Sequence, residues 1–225
     1  MSRTWSSLTL FLLIQCVGSV SANDCPQDLR RANSPITPKL NRPDEHHTSP
    51  LFMWRYRTLT GELYLVGSIH ALSATLRTLP VQLESAFQQS THLAVEVDTT
   101  SPNILDRTWV TEHLLLPNNS GLRSLLNETR RGRLSCLVRQ INIDYESIGR
   151  LKPSLVAMQI SRARLNGLGY YAKWGMEQQF LRRAGRREVL ELESSQEQLL
   201  LIANTPVEVQ LELLDESLIG HKDFH

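Results

Sequence analysis

His70 closes the run LYLVGSIH, and Glu96 lies in HLAVEVD with Asp98 two positions on. An imidazole and a carboxylate that converge on one crevice are ligands for a hard or borderline divalent metal such as manganese, cobalt or zinc. Such an ion acidifies a bound water and yields a nucleophile near neutral pH. The same residues also have a purely structural use, in which His70 caps a loop and Glu96 pairs with a nearby arginine. HLAVEVD has the near-continuous apolar pattern of a parallel strand covered on both faces, and Glu96 interrupts it. A carboxylate there is costly unless it is paired, hydrogen-bonded or coordinating a cation. By strand alternation Asp98 shares the face of Glu96 and sits nearer the rim. H-E-x-x-H, a G-x-S-x-G elbow, a P-loop and a dinucleotide fingerprint are all absent, which removes the commonest hydrolase and nucleotide-binding schemes.

For His70 and Glu96 to meet, two strand ends must be neighbours. LFMWRYR and ELYLVGS flank a turn at Thr58 to Gly61 and read as a β-hairpin. Pro80 stands where a helix starts, and VQLESAFQQS places Leu83, Ala86 and Phe87 on one face, predicting a helix over 80–90. HLAVEVD then completes a strand, helix, strand unit, which closes as a right-handed crossover with parallel strands. The ends of LYLVG and HLAVEVD would thus adjoin at the carboxyl edge of the sheet, where α/β folds bind ligands. Beyond residue 101 the apolar spacing is helical in segment after segment, with Pro153 placed to open one helix and Ser194 to cap another. REVLELE is the single late strand. The expected fold is α/β, a small mixed sheet beginning with a β-hairpin, a parallel crossover, a large helical insertion over 101–172, and a return to the sheet at 187–193.

The 225 residues, 41% of them hydrophobic, suffice for one domain with a real core. Lys and Arg number 24 against 23 Asp and Glu, so no global charge asymmetry points to nucleic acid. The arginine clusters at 130–133 and 182–187 carry no interleaved aromatics and read as solvated faces. Residues 1–22 combine Arg3, an apolar run from Leu8 to Val17 and a small-residue VSA ending at Ala22, the pattern of a secretory signal peptide. A lipoprotein anchored at Cys16 is the alternative, with bulky Gln15 against it. No later segment reaches the roughly 20 apolar residues of a spanning helix, so the expected protein is exported, periplasmic or secreted, without an integral span. Removing the signal leaves Cys25 and Cys136, either a disulfide in an oxidising compartment or two independent thiols. Residues 23–50, rich in proline and polar side chains, read as an extended or disordered leader to a single domain over 51–225.

The stretch LYLVGSIHALSATLRTLPVQLESAFQQSTHLAVEVD resembles the opening of the TraB/GumN family, with its GxxH loop after a hairpin strand, its leucine-proline pair and its V-E-[LV]-D strand. LKPSLVAMQI, WGMEQQFLRRA and VLELESSQEQLLLI continue the likeness in the family's order. The resemblance implies an EreA/ChaN-like α/β arrangement. In its Tiki branch it also implies a metal-dependent protease acting through two GxxH motifs and a glutamate. Carried over by position, the GxxH becomes Gly67 to His70 and the glutamate Glu96; His70 and Glu96 are expected to be catalytic and metal-binding, and Gly67 and Asp98 to contact the substrate or those ligands. Glu177 and Glu193 fall on later acidic positions, as contacts to substrate or to the ligands themselves. Their structural alternatives are a helix N-terminal acid for Glu177 and a strand-end cap for Glu193. No second GxxH follows here, because Gly220 and His221 are adjacent in SLIGHKDFH, so the expectation is a family member lacking its C-terminal part. His221 and His225 could meet on a helix face. The implied function is metal-dependent hydrolysis of peptide or protein substrates. The alternative is an exported, non-catalytic binding module or an inactive truncated member.

Overall fold

The computed structural model describes residues 25–26, 51–100 and 105–219. The signal segment, all of the leader but Cys25 and Pro26, His221 and His225 lie outside the described residues.

β1 (Met53–Arg57) and β2 (Glu62–Val66) form the expected hairpin, antiparallel from Met53↔Val66 to Arg57↔Glu62. Its turn is held by Thr58, whose N–H donates to the Gly61 carbonyl and whose hydroxyl accepts the Gly61 N–H at 2.9 Å. Met53 and Val66 pack on a small apolar cluster with Leu72, Leu79, Leu83 and Met176. Trp54, Tyr56, Leu63 and Leu65 remain exposed on the hairpin.

After the GSIH loop come β3 (Leu72–Ser73), α1 (Val81–Gln89) and β4 (His92–Val95). Pro80 occupies the cap of α1, where a missing N–H costs nothing, and Leu83 and Ala86 are buried beneath it. The helical insertion follows as α2 (Arg107–His113), α3 (Leu122–Leu125), α4 (Glu128–Gln140), α5 (Tyr145–Ile148) and α6 (Pro153–Gly167). Asp106, Asn127 and Asp144 cap α2, α4 and α5 through their side chains, and Pro153 opens α6. The chain returns through β5 (Tyr170–Tyr171), a 3-10 turn at Ala172–Trp174, α7 (Met176–Leu181) and β6 (Glu188–Glu191). Then follow α8 (Ser195–Ala203), opened by a Ser194/Glu197 capping box, and α9 (Val207–Leu218).

The fold is α/β with both a hairpin and a parallel pair, but the parallel partner differs from the expected one. β4 pairs with β6, from His92↔Glu188 to Val95↔Glu191, and not with β2. β3 pairs antiparallel with β5, so the described strands form three two-stranded sheets. The reason is local. GSIHA and LSATLRTLP carry the chain from β2 through the β3–β5 pairing before α1 begins, which spends the connection a β2–β4 crossover would have used.

The largest core lies in the helical part, where Leu134 and Leu137 of α4, Val156 and Ile160 of α6, and Leu214 and Leu218 of α9 are almost wholly buried. Each such side chain contributes about 1.5–3 kcal/mol by leaving water. Cys25 and Cys136 are both buried here and joined as a disulfide, with Cα atoms 5.7 Å apart. Polar links from outside fix α9: Arg130 grips Asp215 with two donors, buried Gln210 accepts from the Ser154 hydroxyl at 3.1 Å, and Arg164 donates to the Ser217 carbonyl at 2.7 Å.

Candidate functional site

Three segments distant in sequence meet beside the smaller core. The GSIH loop leaves β2 with the Gly67 N–H donating to the Phe52 carbonyl at 2.8 Å. A Cβ on Gly67 would sit 3.0 Å from Phe52 Cβ, so any larger residue would press the loop against the hairpin. Farther on, the Ile69 carbonyl accepts the Met176 N–H at 2.9 Å, tying the loop to the start of α7. Gly175 lies flat against the His70 carbonyl, where a side chain would collide.

This docking brings His70 between two carboxylates. Its Nε2 is 3.6 Å from Glu96 Oε2 and its Nδ1 is 3.8 Å from Glu177 Oε2. Both separations are ion-pair distances, longer than a hydrogen bond. Glu177 is anchored through its other oxygen, which accepts the Glu96 N–H at 3.2 Å. Glu177 is also the most enclosed of the three, its side chain 20% exposed against 65% for His70 and 49% for Glu96.

Glu96 departs from expectation in its setting. β4 ends at Val95, and only one face of the extended stretch is covered: Val95 and Val97 are buried while Glu96 turns outward. Its carboxylate therefore carries no large burial cost. The outward face supplies the convergence instead, because the opposite side of the crevice is the GSIH loop. Glu193 reaches Glu96 only through the backbone, its N–H donating to the Glu96 carbonyl at 2.9 Å, and its side chain is exposed. Asp98 turns to its own loop, Oδ1 accepting from the Thr100 N–H at 2.8 Å and from the Thr100 hydroxyl. The Asp98 N–H donates to Glu191 at 2.8 Å. Of the predicted residues, His70, Glu96 and Glu177 come together, Gly67 shapes the loop, and Asp98 and Glu193 act as supports alongside.

Sequence reasoning missed Gly175, for which the signal was a glycine directly before the acidic helix start in WGMEQ. It also missed Gln178, whose amide donates to the Thr99 hydroxyl and links α7 to the segment after β4. The Ser68 hydroxyl, inside the GxxH loop, is buried without a hydrogen-bond partner among the described residues.

One donor atom each from His70, Glu96 and Glu177 lies within 4.8 Å of the others. Donors bound about 2.0–2.2 Å from one ion stand about 3–4 Å apart, so one imidazole and two carboxylates at these spacings fit a single divalent cation after small adjustments. No helix among the described residues is long and apolar enough to cross a membrane.

Fold and site together define an α/β protein with a solvent-facing histidine–glutamate cluster at the junction of a GxxH loop, a strand end and a helix start. Residues 52–223 match the TraB/PrgY/gumN family, and the chain belongs to it. Among curated proteins it is similar to the uncharacterized protein YbaP of Escherichia coli (strain K12), 26% identical over 165 residues, and to YbaP of Shigella flexneri, 26% identical over 157 residues. These alignments cover 72% and 69% of this chain but 60% and 56% of the relatives, so the chain spans somewhat more than half their length. No solved structure matches it significantly.

Proposed function

We propose that the protein is an exported, metal-dependent hydrolase of peptide bonds, with His70 Nε2 and Glu96 holding a divalent cation of the manganese, cobalt or zinc kind. The observation that carries this is the imidazole set between two carboxylates, 3.6 Å and 3.8 Å away, in a crevice open to solvent. When bound, the cation supplies Lewis-acid polarisation of a carbonyl and acidifies water. Glu177 is the positioning residue: fixed by the Glu96 N–H, it faces Nδ1 and so directs Nε2 toward Glu96. The Glu96 carboxylate makes no hydrogen bond among the described residues, which leaves an oxygen free to take the proton of a water adding to the scissile carbonyl. The same group returns that proton to the departing amine nitrogen. Export rests on the segment ending at Ala22, and N-terminal sequencing of the mature chain would start at Asn23.

The test is elemental analysis and titration with manganese, cobalt and zinc of the wild type beside His70→Ala, Glu96→Ala and Glu177→Gln. Stoichiometric binding should vanish in the first two and weaken roughly 10–100-fold in the third. A folded wild type that binds none of the three ions sinks the hydrolase reading. The openness of the site, with His70 65% exposed, favours a second reading as a non-catalytic metal-binding module. Binding at full stoichiometry with no cleavage across a peptide library would select it.

A further inference from the structure

Beside the His70 cluster the chain gathers positive charge around one aromatic ring. Trp174 is partly buried against the smaller core, and three cations lie near its indole: the Lys173 ammonium at 5.2 Å, the Arg77 guanidinium at 5.4 Å and the Arg182 guanidinium at 5.9 Å from the ring centroid. Arg77, Thr78, Trp174, Gln179, Arg182 and Arg183 line a hollow of about 300 Å³. Gln179 is pinned to its wall by donating to the Trp174 carbonyl at 2.8 Å, and Arg182 is oriented by donating to the Lys173 carbonyl. The arginines at 182–187 have no aromatic among them in sequence, but the fold supplies Trp174 from the preceding turn.

Arg183 is already matched, 2.7 Å from Glu84. Arg77, Lys173 and Arg182 have no carboxylate within ion-pair distance among the described residues, so three like charges share one ring without a counter-charge. All three are exposed and screened by water and salt, and an anion entering the hollow would meet them with no protein carboxylate competing for them. Guanidinium forks against an aromatic wall match the planar, bidentate geometry of a carboxylate. The position is equally telling. Trp174 precedes Gly175, which packs on His70, and Glu177 follows three residues later. Three residues span at most about 11 Å, so one short extended peptide reaches from the cluster to the hollow.

We propose that this basic hollow, floored by Trp174, binds a carboxylate of the peptide held at His70 and Glu96, about two to four residues from the bond to be cut, and so selects acidic peptides. The proposal rests on the peptide-hydrolase reading. The test is calorimetric binding to the full chain of an acetylated, amidated hexapeptide with two glutamates, its glutamine counterpart, and that counterpart with a free C-terminal carboxylate. The glutamate peptide should bind at least about fivefold tighter than the amidated glutamine peptide, with the gap shrinking in high salt. The free carboxylate should bind as tightly as the glutamate peptide if the chain terminus is the anion taken, and no better than the glutamine peptide if a side chain is. Arg77→Gln and Arg77→Gln/Lys173→Gln should erase the gap. Both side chains are exposed and make no hydrogen bond among the described residues, so the variants should stay folded, with only the small drop in melting temperature that losing their exposed ring contacts brings.

Equal affinity for all three peptides, or a preference that survives the charge substitutions, would overturn the proposal. So would inorganic phosphate saturating the hollow while no peptide is preferred. His70→Ala should keep the acidic preference. A preference without metal binding or cleavage defeats the hydrolase reading alone, and cleavage without the preference defeats this inference alone.

Discussion

Replacing Gly175 with alanine should break the site without altering any of its ionisable side chains. The backbone at Gly175 is ordinary, φ −54°, so the substitution costs nothing in conformation. Its cost is contact: the new Cβ would overlap the His70 carbonyl oxygen, with the carbonyl carbon 2.8 Å away and the Ala172 oxygen 3.0 Å away. All three are backbone atoms that no rotamer change can move. A carbon–oxygen contact settles near 3.3 Å or beyond, so the GSIH loop and the start of α7 must part by about 1 Å. Forced overpacking costs about 1–3 kcal/mol, and weakening the Met176 to Ile69 hydrogen bond adds about 1 kcal/mol. A loss of about 2–4 kcal/mol is a large share of the roughly 5–15 kcal/mol that holds a domain folded. The same displacement draws Nδ1 away from Glu177, and cobalt affinity should fall about tenfold or more. Gly132 is the control. It lies on the exposed face of α4 with nothing within 4 Å of an added Cβ, so Gly132→Ala should stabilise by about 0.5–1 kcal/mol. Urea unfolding with cobalt titration reads both variants. Gly175→Ala within about 0.5 kcal/mol of wild type, with unchanged cobalt affinity, would refute the docking of loop on helix.

Three further outcomes are expected. Cys136→Ala, or reduction, opens a link across 111 residues and should cost about 2–5 kcal/mol in urea unfolding; a midpoint insensitive to reductant would mean the bond does not form. Gln210→Leu strips donors from the Ala203 and Thr205 carbonyls at the end of α8 and an acceptor from Ser154 of α6, and should cost about 2 kcal/mol or more. An effect confined to a few tenths would show that water reaches those groups. Glu197 is held below the ordinary carboxylate range, first by the Ser194 backbone amide and then by its hydroxyl. A depressed folded value means the capping box stabilises above that range and loses its contribution as pH falls through it. The stability gap between wild type and Glu197→Gln should therefore close from about pH 6 to about pH 3, and a gap constant across that window would contradict the cap.

What was legible in the sequence was local. Thr58 to Gly61 between two alternating runs marks the hairpin, Pro80 and Pro153 mark helix starts, and Ser194 with Glu197 marks a cap, because each signal is written within a few residues of its effect. His70 and Glu96 were legible as residues out of place in apolar runs. The sequence offers their partnership through the family likeness and through a β2–β4 crossover that the fold does not contain, with a burial of Glu96 that it does not impose. The convergence arises through pairings that no short window records: Leu72 with Tyr171, Val95 with Glu191, and Met176 with Ile69. Glu177 could be placed only through the likeness of WGMEQQF to a family motif, since an acid in the first turn of a helix is equally explained by the helix dipole.

Those pairings also determine what stabilises the site. Residues 67–98 contribute His70 and Glu96, residues 170–193 contribute Glu177 and both long-range strands, and the helical insertion lies between them in sequence. The two halves already meet in the folded chain across the insertion, so the loop-closure cost falls on folding and not on ligand binding. A cation held by His70 and Glu96, with Glu177 behind them, would bind the folded chain and not the unfolded one, where these groups are scattered. It should then raise stability by about 2.7 kcal/mol at a hundredfold excess over its dissociation constant. That gain should appear in the wild type and in Gln210→Leu alike, because the latter weakens the helical core without altering the site. It should be absent in His70→Ala. If Gln210→Leu lost the gain as well, the site and the helical core would be energetically coupled in the native state, and the division into a scaffold and a separately formed site would be wrong.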